Sequence, residues 1–254
     1  MTPGTLVDEK FMNPYENNFL LAIHADKPIP EGHPAGIDVL TSVETDGKLV
    51  GPAAHKIGLA WLDLSTGEFF TQASTVAGLP AGLVRIGAKE IVLNKFMDDH
   101  MKSAILEVLG HEHQLVTWQP APPPDVSVTK WFPMLESSIP SPEQDQFSSE
   151  EVTAGNMVLS YVKDKLQGLG IRLQPPVKKE ETENMGIDKN SMRGLEILET
   201  LRDAITGGKG SLLHTMRRTV TKSGARLLRD RICESFDWDV RSGISYTQID
   251  WGLF

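Results

Sequence analysis

The stretch "RRTVTKSGARLLRDRI", Arg217 to Ile232, together with Lys209 just before it, gathers seven Lys and Arg residues in a chain whose formal net charge is −9. On a helix beginning at Thr221, Lys222, Arg226 and Arg229 fall at i, i+4 and i+7 and share one stripe. Ala225, Leu228 and Ile232 form an apolar stripe about a quarter-turn away. Such cations can pair with acids elsewhere in the chain while their stems cover apolar surface. They can equally contact a phosphate backbone. The spacing alone favours the ion pairs. Arg217, Arg218, Lys222, Arg226 and Arg229 are therefore the candidates for interdomain or phosphate contacts.

The other chemically able residues carry less. "TGGKGS" approaches a phosphate loop, but Gly210 follows Lys209 where Ser or Thr should meet magnesium, and no buried strand leads into it. It reads as a helix-stop loop. His111 and His113, in "GHEHQ", lie on one side of a strand and could hold a metal, yet no third ligand is nearby. Asp98 with Asp99, and Glu150 with Glu151, sit at helix starts, where acids satisfy free N–H groups and the helix dipole. Ser65 and Thr66 are turn residues, and Cys233 has no His partner that would make it a nucleophile. No catalytic, cofactor-binding or metal-ligating residue is assigned.

Composition bounds the class. At 254 residues with 40% hydrophobic and 23% charged residues, the chain can bury a core across one or two domains. No run approaches the ~20 apolar residues that span a bilayer. A single cysteine excludes an internal disulfide and argues for a reducing compartment. "MTPGTLVDEKFMNP" reads as neither a signal peptide nor an Arg-rich transit peptide. Residues 209–231 sum to +6, residues 232–254 to −3, and the first 208 to −12. An acidic body thus carries one short basic segment, so only a local patch could meet nucleic acid.

The elements that must position these residues fall into two kinds. "NFLLAIH" is a buried strand, and the Pro- and Gly-rich stretch after it is a loop or insertion. "KIGLAWLDLSTGEFFTQAS" is a hairpin turning at Ser65-Thr66-Gly67. A short helix or turn, a strand Glu90 to Leu93, a helix ending at Gly110 and a strand "QLVTW" follow. That order makes a small α/β domain with a mixed sheet. The run "QPAPPPDV" and the Pro- and Ser-rich "FPMLESSIPSPEQDQ" read as a linker-like zone. Beyond it the pattern is helical. Ser148 with Glu151 makes a capping box ahead of the stripe Val152, Val158, Leu159, Val162, Leu166. A second helix is expected over Ser191 to Arg202, with Met192, Leu195, Leu198 and Leu201 at steps of three, and a third after Thr221.

Four blocks in one order, "IDKNSMRGLEILETLRD", "GSLL", "RTVT" and "GARLL", resemble the start of the lever, or core, domain of the MutS mismatch-repair family. Upstream, "TPGTLVDE", "NNFLLAI" and "IGLAWLDLSTGEF" resemble the boundary and first strands of that family's connector domain. "MNPYENNFLLAI" and "LQGLGIRLQPP" look most like the mitochondrial homologues of filamentous fungi, which implies a mitochondrial location, with the nucleus as alternative. The resemblance implies an RNase H-like mixed sheet followed by an incomplete all-α lever segment. The expected division is a boundary segment over residues 1–16, the connector over 17–140, and the start of the lever over 141–254. An atypical tail is expected from about residue 234, as in a truncated or mis-spliced reading frame.

On the same resemblance the chain is a non-catalytic part of a mismatch-recognition protein, coupling ATPase state to the binding of mismatched DNA. ATP, magnesium, mismatched double-stranded DNA and a dimer partner belong to the full-length family, through domains whose motifs do not occur here. No membrane contact is implied. The alternatives are an RNase H-like metal nuclease or a free-standing interaction module. For the nuclease, Asp63 in "AWLDLSTG" is a strand carboxylate, but metal-dependent hydrolysis needs several converging acids, and no second strand is expected to offer one.

Overall fold

The computed structural model describes residues 4, 13, 15–25, 43–45, 48–50, 55–110, 115–120, 127–166, 170, 172–181, 187, 189–201 and 209–233. His111, His113, most of the boundary segment and the tail from residue 234 lie outside the described residues. At the centre is β1 (Phe19–His24), buried along its whole length. Its unbroken apolar run suits a strand covered on both faces. β4 (Lys56–Asp63) pairs antiparallel with β1, and β5 (Glu68–Thr75) folds back on β4 through the turn at Ser65 to Gly67. Gly67 turns at φ 75° and donates its N–H to the Asp63 carbonyl at 2.8 Å. The left-handed φ suits glycine. On the other side β6 (Glu90–Asn94) and β7 (Leu115–Gln119) run parallel to β1. The sheet order is β7-β6-β1-β4-β5-β8, the last being β8 (Val177–Lys179), parallel to β5. A separate two-stranded ladder, β2 (Val43–Thr45) with β3 (Lys48–Val50), lies within the expected insertion.

Alternation along the strands sends residues to two faces. Leu21, Ile23, Leu59, Trp61, Ile91 and Leu93 face one core, covered by α1 (Leu79–Ile86) and α2 (Asp99–Leu109). Leu20, Ala22, Ala60, Leu62 and Val92 face the other, covered by α4 (Ser149–Leu166). The capping box of α4 forms as its sequence requires: the Ser148 N–H donates to Glu151 at 2.9 Å, and the Glu151 N–H to the Ser148 hydroxyl at 3.2 Å. Gly58 lets the start of α4 lie directly on β4, since a Cβ there would sit 2.1 Å from the Glu150 carbonyl. The helix placed by sequence at the start of the lever segment thus completes the α/β core.

Three local expectations differ. The Pro-rich zone is not a linker throughout. A 3₁₀ helix (Val128–Met134) and α3 (Ser141–Gln144) stand there, and Trp131 is fully buried over Gly155 of α4. Proline excludes long helices and strands, but not a short 3₁₀ turn with an aromatic anchor. β8 stands in the polar run "VKKEETEN", where the sequence pattern gives no element, because an edge strand of three residues carries no apolar period.

The helix expected over Ser191 to Arg202 is the third difference. It is described as α5 (Lys189–Gly194) and ends there. Glu196 turns left-handed at φ 49°, the Ile197 N–H bonds back to the Met192 carbonyl, and Met192 packs with Ile197, which together make a Schellman stop. Steps of three advance only 300° each, so Met192, Leu195, Leu198 and Leu201 spiral around a helix rather than share a face. Beyond the stop, Leu195 and Leu201 are 66% and 58% exposed. After α6 (Leu212–Met216), α7 (Lys222–Cys233) begins at the expected Thr221, whose hydroxyl accepts from the Gly224 N–H at 3.0 Å.

Candidate functional site

α7 lies against one end of the sheet, where β1 begins, β4 ends and β6 begins. Arg226 reaches Asp63 at 3.8 Å and donates to the Ser65 hydroxyl at 3.3 Å. Asp63 is fully buried, and its carboxylate accepts from the Asn18 N–H (2.9 Å), the Ser65 N–H (2.8 Å) and the Ser65 hydroxyl (2.6 Å). One turn along α7, Asp230 accepts two hydrogen bonds from the Asn17 amide, at 2.9 and 3.2 Å. Arg229 packs on Gly87, the left-handed residue that ends α1; a Cβ there would lie 2.8 Å from Nη2. A guanidinium at that point meets the negative end of a helix dipole. Arg217 lies 4.5 Å above the Tyr15 ring, a cation–π contact. A small apolar cluster finishes the seat: Met192, Ile197 and Cys233, with Ile187, Leu198, Ile232 and Val84 of α1 against them.

The basic stretch therefore divides. Arg217, Arg226 and Arg229 touch the α/β body, while Arg218 and Lys222 are exposed on the approach to α7. Asp63, weighed in the sequence as a metal ligand, is instead the anchor of a turn and the partner of Arg226. Sequence reasoning missed Tyr15, Asn17, Asn18 and Gly87. Their one visible signal is the polar "YENN" run set directly against a buried strand.

A second strand does offer a carboxylate, contrary to expectation. Glu90 of β6 is fully buried and accepts from the Tyr161 hydroxyl, from Thr117 at 3.0 Å and from the Gly4 N–H at 3.0 Å. Asp63 stands opposite Phe19 in the ladder and Glu90 opposite Leu20. Successive residues of β1 point to opposite faces, so the two carboxylates lie on opposite sides of the sheet and cannot share a metal. Among the described residues no three His, Cys, Asp or Glu side chains converge on a metal position. Asp98 caps α2 by accepting from the N–H groups of His100 and Met101, and Glu151 caps α4 while lying 3.5 Å from Lys178.

The Lys209 segment does not fit a nucleotide phosphate. Gly210 turns at φ 105°, and the Ser211 hydroxyl is engaged by the His214 N–H as the cap of the five-residue α6. No described strand leads into it. No helix among the described residues is long and apolar enough to cross a membrane.

Two family models match the chain in order along the sequence. MutS domain II matches residues 39–118, which run from β2 through most of β7, and MutS domain III matches residues 190–234, which hold most of α5 together with α6 and α7. The seat joins the two matched segments through Arg226 with Asp63 and Ser65 and through Arg229 with Gly87, while Asp230 reaches Asn17 outside them. The two matches support a fragment of a MutS family mismatch repair protein, with one segment matching domain II, the connector, and a later one matching domain III, the core.

Proposed function

We propose that this part of the protein is a non-catalytic relay, in which the helices of the core segment carry nucleotide state to the connector and so to the binding of mismatched DNA. The observation that supports it is the seat: α7 is fastened to the sheet end by polar contacts, Arg226 to Asp63 and Ser65, and Asn17 to Asp230, with little apolar area. Interfaces of that kind move as units more readily than apolar ones. ATP and magnesium, mismatch reading and dimerisation would come from other domains of the full-length protein. The "MNPYENNFLLAI" and "LQGLGIRLQPP" wording supports a mitochondrial location, which a fluorescent fusion in cells would test.

The relay is tested in a full-length family protein carrying this segment. Arg226→Ala should leave ATP hydrolysis intact while blunting the loss of mismatch affinity that ATP causes. An unchanged nucleotide response would overturn the reading. The opposed faces of Asp63 and Glu90 argue against the nuclease alternative.

A further inference from the structure

We propose that the basic stripe of α7 is a concealed site for a nucleic-acid phosphate backbone, exposed when the helix leaves its seat. The proposal rests on the reading of α7 as a movable part and adds a ligand to it. Lys222, Arg226 and Arg229 project within about 60° of one another around the helix, and Arg218 precedes them in the chain. In the seated state this stripe is divided. The Arg226 side chain is only 15% exposed against Asp63, Arg229 is closed over Gly87, and Lys222 and Arg218 remain at the surface.

The seat is built to release. Breaking a buried ion pair is costly when it strands a charge without partners. Asp63 is not stranded, because it keeps the Asn18 N–H, the Ser65 N–H and the Ser65 hydroxyl when Arg226 departs. Asn17 and Asp230 exchange one partner for water, and Val84 is the one residue of α1 in the apolar cluster.

Phosphate competes for the same groups by the same chemistry. A guanidinium binds phosphate oxygens through two parallel charge-assisted bonds of about 2.7–2.9 Å, whereas Arg226 stands 3.8 Å from Asp63. Charge points the same way. Residues 209–231 sum to +6 and the first 208 to −12, so a seated helix lies against a body that repels a polyanion and a released one does not. Asp230 is the one acid flanking the stripe. Seating and phosphate binding are then mutually exclusive, and each weakens the other by the same factor.

The test is binding of a labelled, fully paired DNA duplex to the whole chain at low salt. Asn17→Ala removes a seat contact without touching a basic residue and should tighten binding several-fold, as expected when the competent state becomes more populated. Tyr15→Ala, which takes the ring from under Arg217, should act alike and guards against a folding defect. Combining Asn17→Ala with Lys222→Ala and Arg229→Ala should lose the gain. For three phosphates the salt slope should be roughly −2.7, at about −0.9 per contact. Binding of heparin without binding of duplex would overturn the nucleic-acid site. If Asn17→Ala speeds hydrogen exchange in α7 and leaves duplex affinity unchanged, the phosphate site is refuted while the movable helix stands. If neither Asn17→Ala nor Tyr15→Ala speeds exchange in α7, the movable helix itself is refuted.

Discussion

Replacing Trp131 by alanine separates a structural zone from a tether. Trp131 is fully buried, its indole N–H donates to the Asn156 side-chain oxygen at 3.1 Å, and its ring meets Phe69 and Phe147 edge-on with centroids 5.3 and 5.6 Å away. Truncating a buried aromatic costs about 3–5 kcal/mol through lost transfer energy and the cavity left behind. The orphaned Asn156 oxygen adds about 1 kcal/mol or more. Asn156 also donates to the Val152 carbonyl at 2.7 Å, so its amide cannot turn to compensate freely. A loss of about 4–6 kcal/mol is a large share of the ~5–15 kcal/mol by which domains are stable. The assay is urea unfolding of the full chain followed by far-ultraviolet circular dichroism, since tryptophan fluorescence would change with the substitution itself. Trp131→Phe should recover more than half of the loss. A midpoint shift worth under about 1 kcal/mol for Trp131→Ala, the range of ordinary surface changes, would refute the packing of this zone into the sheet core.

Two other substitutions test close approaches. Gly155→Ala would place a Cβ 2.4 Å from the Trp131 ring, so it should destabilise by about 1–3 kcal/mol in the same unfolding assay, although alanine favours helix. Gly87→Ala would put a side chain on a residue at φ 62° and 2.8 Å from the Arg229 guanidinium. It should cost about 1 kcal/mol of backbone strain in unfolding experiments and speed proteolysis within α7, with the sheet core intact.

Much of the α/β unit was legible because its signals are local. The alternating hairpin with Gly67 at its turn, the buried run of β1, the Asp98 cap and the Ser148–Glu151 box each state their structure within a few residues. The start of α7 at Thr221 was equally local. What escaped depends on distant partners. Nothing near Trp131 announces that Gly155 leaves room for its ring, and β8 is a strand only because β5 offers an edge. The stop after Gly194 was hidden by leucines whose step of three mimics a helical period. In the site, the cations and Asp63 stood out by type, but their pairing joins residues 163 positions apart. Tyr15 and Asn17 have side chains ordinary for a surface, and only the fold brings them beneath Arg217 and Asp230.

The central claim is that α7 is seated on the end of the sheet by contacts it can relinquish without disturbing the sheet. Residue-resolved hydrogen exchange of the whole chain tests it most directly, comparing wild type with Arg226→Ala. The account predicts protected α7 amides from Arg226 to Cys233 in the wild type. In the variant, exchange there should be about tenfold faster, the equivalent of ~1.4 kcal/mol, with β1, β4 and β6 unchanged because Asp63 retains its three donors. Unprotected α7 amides in the wild type, or a variant in which the sheet strands exchange faster along with the helix, would contradict it.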